Sequence, residues 1–435
     1  MKALISTSNK RTERVFLVGA ELKSRAAWEV RDSLDELAEL AASAGGEVVG
    51  DGTQRLEAPV ASTYIGSGKA DQFAQHCRQN DVDTVIFDDD LSPAQSRNLE
   101  RVFDCKVLDR TSLILDIFAQ RARTREGKLQ VELAQLQHLL PRLTGFWSHL
   151  SRQKGGIGMR GDGETQLETD RRRVQGRITR IEQDLELVRR QRTTQRAGRQ
   201  RHFWPLASIV GYTNAGKSTL LNTLTGAEIL AEDQLFATLD PTTRRLRLPT
   251  NQNVLLSDTV GFIRKLPHRL VEAFKATLEE VVEADLLLHV VDLSHPKAGE
   301  QIQSVNAVLD EIGAADKPTL MVGNKIDRLT NGEVSCRFLE QFPNAVAVSA
   351  SSGEGFPALL CELGNRMRPT RLFVQLKVPH TEAAVIARLH AVGQVLERDY
   401  SGKMARFKAR IPPHLQAEFA PFIVRDLQAG SKREV

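Results

Sequence analysis

The chain has 435 residues, of which 41% are hydrophobic and 26% charged, and its formal net charge is +4. This composition is typical of a globular protein with several domains, and no apolar run approaches the roughly 18 residues that a membrane-spanning helix needs. The N-terminus has no apolar segment of the secretory kind and the four cysteines lack metal-ligand spacing, so we expect a cytoplasmic chain with reduced thiols.

The N-terminal residues 1–110 alternate short apolar runs with helical patterns. Residues 15–18 and 82–87 are typical of strands, and residues 31–42 place apolar side chains at helical spacing. A serine followed by a proline at residues 92–93 is typical of a helix start. The alternation predicts a small parallel α/β domain.

The next segment, residues 111–201, changes character. Apolar residues recur at steps of three and four along residues 129–140, and at steps of seven, four and three along residues 167–188. This spacing predicts two helices that pack along a heptad seam. A glycine-rich tip at residues 154–163 separates them, so we expect an antiparallel helical hairpin whose second arm begins at Glu164.

Positive charge is concentrated in this hairpin. Residues 151–201 contain 14 Lys and Arg against 7 Asp and Glu, a net charge of +7 in a chain whose total is +4. A basic block of this kind favours a polyanionic partner, and a solvated helical face is the alternative explanation.

Residues 202–368 return to alternating strands and helices and contain a phosphate-binding motif. An apolar strand at residues 206–210 leads into G-x-x-x-x-G-K-S and then into a helix. In such a loop the backbone N–H groups surround phosphate, Lys217 neutralises the β- and γ-phosphates, and the Ser218 hydroxyl binds Mg²⁺. The predicted loop residues are Gly211, Tyr212, Thr213, Asn214, Ala215, Gly216, Lys217 and Ser218.

A D-x-x-G motif follows the apolar residues 254–256. Its aspartate would reach Mg²⁺ directly or through water, and its glycine would donate a backbone N–H to the γ-phosphate. The motif alone is a weak signal, but its place behind a strand and downstream of the first motif makes it a strong one. Its residues are Asp258, Thr259, Val260 and Gly261.

An N-K-x-D motif follows the apolar residues 319–322. Asp327 would accept hydrogen bonds from guanine N1–H and the 2-amino group, so we expect a buried carboxylate and strong selectivity against ATP. Asn324 would tether the phosphate-binding loop, and a backbone N–H near Ala350 would face guanine O6. The predicted base-binding residues are Asn324, Lys325, Ile326, Asp327, Ser349 and Ala350.

The switch segment lies between the first two motifs and adds Phe236, Ala237, Thr238, Leu239 and Asp240 to the predicted nucleotide-binding residues. One threonine must reach Mg²⁺ when the γ-phosphate is bound, and the spacing leaves Thr238, Thr242 and Thr243 as candidates.

Phe262 stands directly after Gly261, where a Gln would orient the attacking water, and a phenyl ring cannot do so. Intrinsic hydrolysis is then slow, or another group positions the water. One hypothesis is a K⁺ ion held near Asn214, and the alternative role for this side chain is a hydrogen bond within the loop.

The last residues, 369–435, predict a small α+β domain. The predicted fold is therefore α/β: a small parallel α/β domain at 1–110, an antiparallel helical hairpin with a glycine-rich tip at 111–201, a P-loop GTPase domain at 202–368 and an α+β domain at 369–435.

Several of these segments together resemble the HflX family of bacterial, ribosome-associated GTPases. The glycine-rich tip with Glu164, the segment L-E-x-D-R-R that starts at Leu167, residues 64–69 and the switch at residues 236–242 carry the resemblance. It covers most of the chain and is weakest after residue 369. The tip signature is specific to that family.

The resemblance implies a GTPase that uses Mg²⁺, binds the large ribosomal subunit and its RNA, and splits or rescues stalled ribosomes. It makes Thr238 the preferred magnesium threonine, which completes the predicted catalytic set with Lys217 and Gly261 from the motifs. At position 162 the family usually has Pro, whereas this chain has Asp. The negative phosphates of RNA would repel the carboxylate of Asp162.

Glycines permit close backbone approach to RNA and cations bind its phosphates, so the hairpin predicts an RNA-binding tip. The expected contact residues are Arg152, Lys154, Gly156, Arg160, Gly161, Arg171 and Arg172. The alternative for the hairpin is a dimerising coiled coil, although we expect a monomer away from the ribosome. Alternative functions are a GTP-dependent, helicase-like RNA-remodelling factor and a regulatory switch for a protein effector.

Overall fold

The computed structural model describes most of the chain, namely residues 12–23, 26–143, 162–200, 204–226, 235–236, 238–249, 252–265, 275–330, 332–367, 372–401, 404–411 and 415–426. None of the helices within these ranges combines the length and the apolar character that crossing a bilayer requires.

Four parallel strands form the N-terminal sheet, in the order β2-β1-β3-β4. The strands are β1 (Arg14–Leu22), β2 (Glu47–Leu56), β3 (Thr84–Phe87) and β4 (Lys106–Asp109), and the helices are α1 (Ala27–Ser43), α2 (Ser67–Gln79), α3 (Pro93–Phe103) and α4 (Arg110–Arg121). Ser92 caps α3 as expected, because its hydroxyl accepts from Gln95 N while the Gln95 side chain accepts from Ser92 N. The predicted parallel α/β domain is confirmed.

Two long helices, α5 (Arg125–Leu143) and α6 (Asp162–Gln200), form the predicted hairpin. Their apolar seam buries Leu133 against Ile178, Ile181 and Leu185, and Arg177 holds Glu132 across the pair with two bonds of 2.7 and 2.9 Å. The second arm begins at Asp162 rather than at Glu164. An acidic residue at this position suits the positive end of the helix dipole, which explains the earlier start.

A six-stranded sheet forms the core of the next domain, in the order β10-β9-β8-β5-β7-β6, with only β6 antiparallel to its neighbour. The strands are β5 (Leu206–Gly211), β6 (Thr242–Arg247), β7 (Asn253–Asp258), β8 (Leu286–Asp292), β9 (Thr319–Asn324) and β10 (Val346–Ala347). The described helices are α7 (Lys217–Thr225), α8 (Lys275–Val282), α9 (Ala298–Glu311), α10 (Glu333–Gln341) and α11 (Phe356–Arg366), with a 3-10 turn at Ile326–Arg328.

A single apolar cluster continues from the N-terminal sheet into this six-stranded domain. It contains Leu17, Leu34 and Ile86 from the first and Val210 and Leu287 from the second. All five side chains are at most 2% exposed. The two domains therefore share a core rather than meeting at a polar surface.

The chain forms two compact units, Met1–Glu362 and Leu363–Val435. The second contains an antiparallel sheet, in the order β12-β13-β11-β14, with its own apolar core around Phe407 and Phe419. Its elements are β11 (Leu372–Pro379), α12 (Ala383–Val392), β12 (Gln394–Ser401), β13 (Met404–Ile411), α13 (Gln416–Phe419), a 3-10 turn at Ala420–Phe422 and β14 (Ile423–Asp426). This matches the predicted α+β domain, while the predicted boundaries of all four domains stay an interpretation.

Candidate functional site

The phosphate-binding loop joins the buried strand β5 to the helix α7. Gly216 stands immediately before α7 with φ of 89°, and its carbonyl accepts from Leu220 N at 2.9 Å. A Cβ at this position would overlap the Asn324 amide nitrogen, so glycine is required both by the turn and by the neighbouring loop. The first N–H groups of α7 therefore open towards the cleft, as a phosphate site needs.

Lys217 lies at the base of this loop and is 6% exposed. Its ammonium donates to the carbonyl oxygen of Tyr212 at 2.6 Å. Burial lowers the pKa of Lys217 to about 8, and the nearby Asp258 opposes this shift. A largely desolvated cation at the N-terminus of a helix is well suited to bind a polyanionic phosphate chain.

Three side-chain oxygens from three separate segments meet beside Lys217. Ser218 Oγ donates to Asp258 Oδ2 at 2.6 Å and lies 2.7 Å from Thr238 Oγ1. Asp258 is fully buried, and its Oδ1 has no hydrogen-bond partner among the residues that the structure describes. Burial raises the pKa of this carboxyl group. Such an oxygen set fits Mg²⁺, which takes hydroxyl and carboxylate oxygens together with water.

Of the three candidate threonines, Thr238 bonds to this cluster and lines the cleft, whereas Thr242 and Thr243 are not among the residues that line it. Thr242 and Thr243 are the first residues of β6, and the antiparallel ladder pairs them with Asp258 and Ser257. The sequence spacing alone could not separate these three residues, because the difference lies in where β6 begins.

The N-K-x-D segment forms the other end of the cleft. Asn324 Nδ2 donates to Ala215 O at 2.8 Å, and Asn324 Oδ1 accepts from Ala350 N at 2.9 Å, so one amide joins three loops. Asp327 Oδ1 accepts from Ser349 Oγ at 2.6 Å, and this bond holds the pKa of Asp327 below its usual value. The Asp327 side chain is exposed to the cleft, not buried as we expected.

Lys325 adopts a left-handed conformation, with φ of 65°, and its ammonium pairs with Asp292 at 2.7 Å. Lys325 and Asp327 both line the cleft. The N-K-x-D loop is therefore held by contacts that do not depend on a bound molecule.

Most of the predicted residues line one continuous cleft, and three residues that we did not predict line it as well. The additional residues are Thr219, Arg328 and Ser351, each adjacent to a predicted one. The predicted residues in the lining are Thr213, Asn214, Gly216, Lys217, Ser218, Phe236, Thr238, Thr259, Gly261, Asn324, Lys325, Asp327 and Ala350.

Other predicted residues support the cleft without lining it. Gly211, Ala215, Asp258, Val260 and Ser349 are buried behind it, and Ile326 is partly buried in the 3-10 turn. Ala237 lies outside the described residues.

Comparison with known proteins agrees with this geometry. Three family models match in succession: the N-terminal region of a GTP-binding GTPase at residues 31–119, its middle region at 121–199, and a 50S ribosome-binding GTPase domain at 207–325. The GTPase HflX of Escherichia coli strain K12 is 50% identical over 370 residues, which are 85% of this chain and 87% of that protein. This chain belongs to the HflX family of GTPases.

A second HflX relative, from Lacrimispora saccharolytica, is 47% identical over 94% of this chain and 96% of its own length. Among solved structures, SsGBP in complex with GDP is 26% identical over 82% of this chain and 98% of that one, with a TM-score of 0.48. Membership of the HflX family establishes that the chain hydrolyses GTP, and the GTPase fold generally uses Mg²⁺ for this reaction.

In this HflX-family chain, the Tyr212 side chain does not face the cleft, and the nucleotide contact of this loop residue stays a prediction. Its hydroxyl donates to Glu36 of helix α1 and accepts from Arg264 N at 2.9 Å. The same Glu36 pairs with the buried Arg110, so the phosphate-binding loop is anchored to the N-terminal domain. No signal in the loop motif indicates this contact, which joins residues 176 positions apart.

The side chains of Leu239 and Asp240 also turn away from the cleft, and their nucleotide contact stays a prediction. Leu239 is 2% exposed and belongs to the apolar cluster shared by the two domains. The Asp240 carboxylate accepts backbone N–H bonds from Arg123 and Thr124, which precede helix α5. The competing donors at the helix end explain why this carboxylate is drawn away from a phosphate-binding cleft.

The hairpin residues predicted for RNA fall into two groups. Arg171 and Arg172 are exposed on α6, and Arg172 Nε pairs with Glu168 at 3.2 Å. The remaining five lie outside the described residues: Arg152, Lys154, Gly156, Arg160 and Gly161.

Proposed function

We propose that the cleft binds GTP with Mg²⁺, and that this chain binds the large ribosomal subunit and splits or rescues stalled ribosomes. The observation that supports the nucleotide assignment is that one cleft has oxygen ligands for a metal ion at one end and a hydrogen-bond acceptor for guanine at the other. Ser218, Thr238 and Asp258 supply a magnesium set at one end, and Asp327 supplies a guanine-specific acceptor at the other. Lys217 and the Gly261 backbone N–H would stabilise the charge that develops on the γ-phosphate, and Thr238 would join them through the metal site.

Two findings support a ribosomal partner. The family model matched at residues 207–325 describes a 50S ribosome-binding GTPase. The hairpin arm α6 has 39 residues, so it is about 58 Å long, and it exposes Arg171, Arg172 and Arg173 near its N-terminal end. A long arm with cations near its tip suits a deep, phosphate-lined RNA channel. We also propose that the protein is cytoplasmic and that it is a monomer when it is not bound to the ribosome.

The attacking water must be positioned by a group other than the residue that follows Gly261. Phe262 is 2% exposed, and its backbone bonds to Gly211 O and Thr213 N fix the ring inside the core, away from the cleft. Asn214 lies in the cleft lining, exposed and in a left-handed conformation with φ of 60°. We propose a K⁺ ion beside Asn214, and equal GTP turnover in Na⁺ and K⁺ buffers would eliminate it.

GTP turnover in K⁺ buffer, with and without purified large ribosomal subunits, tests the proposed partner. We expect strong stimulation by the subunits, because Phe262 occupies the place of the usual water-orienting side chain and cannot orient the water. Replacing Arg171 and Arg172 with Glu should abolish stimulation while GDP affinity is kept. Arg337→Glu is the matched control, since Arg337 is an equally exposed arginine on α10, paired with Glu333 in the preceding turn.

The same experiment separates the alternatives. Stimulation by the protein fraction of the ribosome, with little dependence on salt, would support an effector switch, because phosphate contacts weaken steeply as salt increases. Unwinding of free RNA without a subunit would support an RNA-remodelling factor. Absence of stimulation with intact GTP binding would contradict the splitting role.

A further inference from the structure

The switch segment connects the magnesium set to helix α5 of the hairpin within three residues. At one end, Thr238 Oγ1 lies 2.7 Å from Ser218 Oγ. At the other, the Asp240 carboxylate accepts from Arg123 N at 2.8 Å and from Thr124 N at 2.9 Å. The Thr124 hydroxyl donates to the same carboxylate.

Thr124 is the residue immediately before α5, and it caps that helix. Its Oγ1 accepts from Gly127 N at 2.9 Å, which satisfies one of the free N–H groups in the first turn. A continuous hydrogen-bond chain therefore runs from Gly127 N through the Thr124 hydroxyl to Asp240 Oδ1. The negative charge at its end also interacts favourably with the helix dipole.

Helix α5 is shaped to accept this carboxylate. Gly127 is a buried residue in the first turn, and a Cβ placed there would overlap Asp240 Oδ1. Alanine is the better helix former by about 1 kcal/mol, so helix stability alone does not favour glycine at this position. The neighbouring Phe236 packs edge-on against Phe118 of α4, with ring centroids 4.7 Å apart, and fixes the other side of the segment.

We propose that Asp240 couples the nucleotide state to the hairpin, because it holds the Thr124 cap of α5 only when Thr238 is engaged at the magnesium site. The proposal rests on the assignment of the cleft to GTP and Mg²⁺. Movement of Thr238 away from Ser218, as after loss of the γ-phosphate, withdraws Asp240 from the helix end. Because coupling is reciprocal, an RNA contact that fixes the hairpin raises the affinity of the cleft for GTP over GDP by the same factor.

Amide hydrogen exchange of Arg123 and Thr124 in the full chain tests the coupling directly, because these two N–H groups donate to Asp240. We expect them to exchange about 5- to 150-fold more slowly with a non-hydrolysable GTP analogue and Mg²⁺ than with GDP and Mg²⁺. Equal exchange in the two states would overturn the proposal, and this comparison needs no substitution.

Two variants disrupt the contact from opposite sides. Asp240→Asn removes the charge, and Gly127→Ala displaces the carboxylate while favouring the helix, so loss of folding does not explain a shared effect. Both should remove the difference in exchange and lower the ratio of analogue to GDP affinity about 5- to 150-fold. Asp83→Ala is the matched control, because Asp83 also accepts a backbone N–H, from Arg14 at 2.9 Å, within the N-terminal sheet.

Measured affinities keep the two proposals apart. If neither GDP nor the analogue binds, the assignment of the cleft fails and the coupling fails with it. If both bind and the affinity ratio is the same in wild type, Asp240→Asn and Gly127→Ala, the coupling alone is wrong.

Discussion

Asp327 carries base selectivity through the chemistry of one carboxylate. As an acceptor held by Ser349, it suits the two donors on the guanine edge, N1–H and the 2-amino group. Asp327→Asn presents an N–H where the 2-amino group sits, so we expect GDP affinity to fall on the order of 100-fold or more. Xanthosine diphosphate has a carbonyl at that position, and the same substitution should improve its binding.

Competition of GDP and of xanthosine diphosphate with a fluorescent nucleotide analogue, for wild type and for Asp327→Asn, measures the change in preference from guanine to xanthine. Ser349→Ala serves as the control, because it removes only the hydroxyl that orients the carboxylate. It should weaken GDP binding by about 1 kcal/mol without favouring the xanthine nucleotide. Retention of GDP preference by Asp327→Asn would contradict the assigned role.

His289 introduces a pH dependence into the folded domain. It is 1% exposed on β8, and burial, with the charge of Lys217 adding to it, lowers its pKa to about 4. Between pH 6.5 and pH 4 the unfolded chain binds a proton that the folded chain does not, so the free energy of unfolding falls as pH decreases. At pH 5 we expect this residue to account for a loss of about 2 kcal/mol relative to pH 7.

Urea unfolding of wild type and His289→Leu at pH 7 and pH 5 isolates this contribution, since other titrating groups are common to both chains. The variant should lose less stability than wild type over this range. Identical pH dependence in both would show that His289 accepts its proton in the folded state at little cost.

Among the helices and strands, the sequence predicts those features that depend on the spacing of residues close together in the chain. The β5–loop–α7 motif and the hairpin seam follow from residues close in the chain, and both are confirmed. The sequence does not predict strand β2, because Gly50 and Gly52 lower its strand propensity. In the structure the rings of Phe16 and Phe73 lie against these two glycines, where larger side chains would not fit.

Side-chain direction is a separate matter from element position. Tyr212 and Asp240 belong to segments that sequence motifs identify, yet both point to partners more than 100 residues earlier in the chain. A motif specifies the nucleotide-facing backbone and leaves these tertiary contacts undetermined. Asp327 is predictable because its role depends on chemistry that the N-K-x-D motif itself fixes, whereas the choice of Thr238 over Thr242 and Thr243 rests on the family resemblance.

The hairpin seam should stabilise α5 and α6 as a pair. Ile181 is fully buried between the arms, whereas Leu187, six residues further along α6, is 57% exposed. Ile181→Ala should lower the local opening free energy of α6 by about 2–5 kcal/mol, seen as faster amide exchange, while Leu187→Ala stays within about 0.5 kcal/mol of wild type. Equal exchange in the two variants would exclude the seam as the source of hairpin stability.

Across the whole first unit, buried charges reinforce the shared apolar core. Arg110 is 2% exposed and pairs with Asp88 at 2.8 Å and with Glu36, which accepts from Tyr212 of the phosphate-binding loop. Lys265, four residues after Gly261, pairs with Asp88 and Asp89. Removal of one partner would leave an uncompensated buried charge, so separating the two domains is costly.

Because core and ion pairs are shared, the N-terminal sheet should open only together with the nucleotide-binding domain. GDP at 100 times its Kd stabilises the folded state by about 2.7 kcal/mol, which slows exchange through full opening about 100-fold. We expect that slowing in β1, although β1 contributes no residue to the cleft. Strand β13, in the separate second unit, is the internal control and should exchange at an unchanged rate. Slowing confined to β5 and α7 would mean that the domains open independently, and the contacts of Tyr212 and Lys265 would then be surface contacts that break without unfolding either domain.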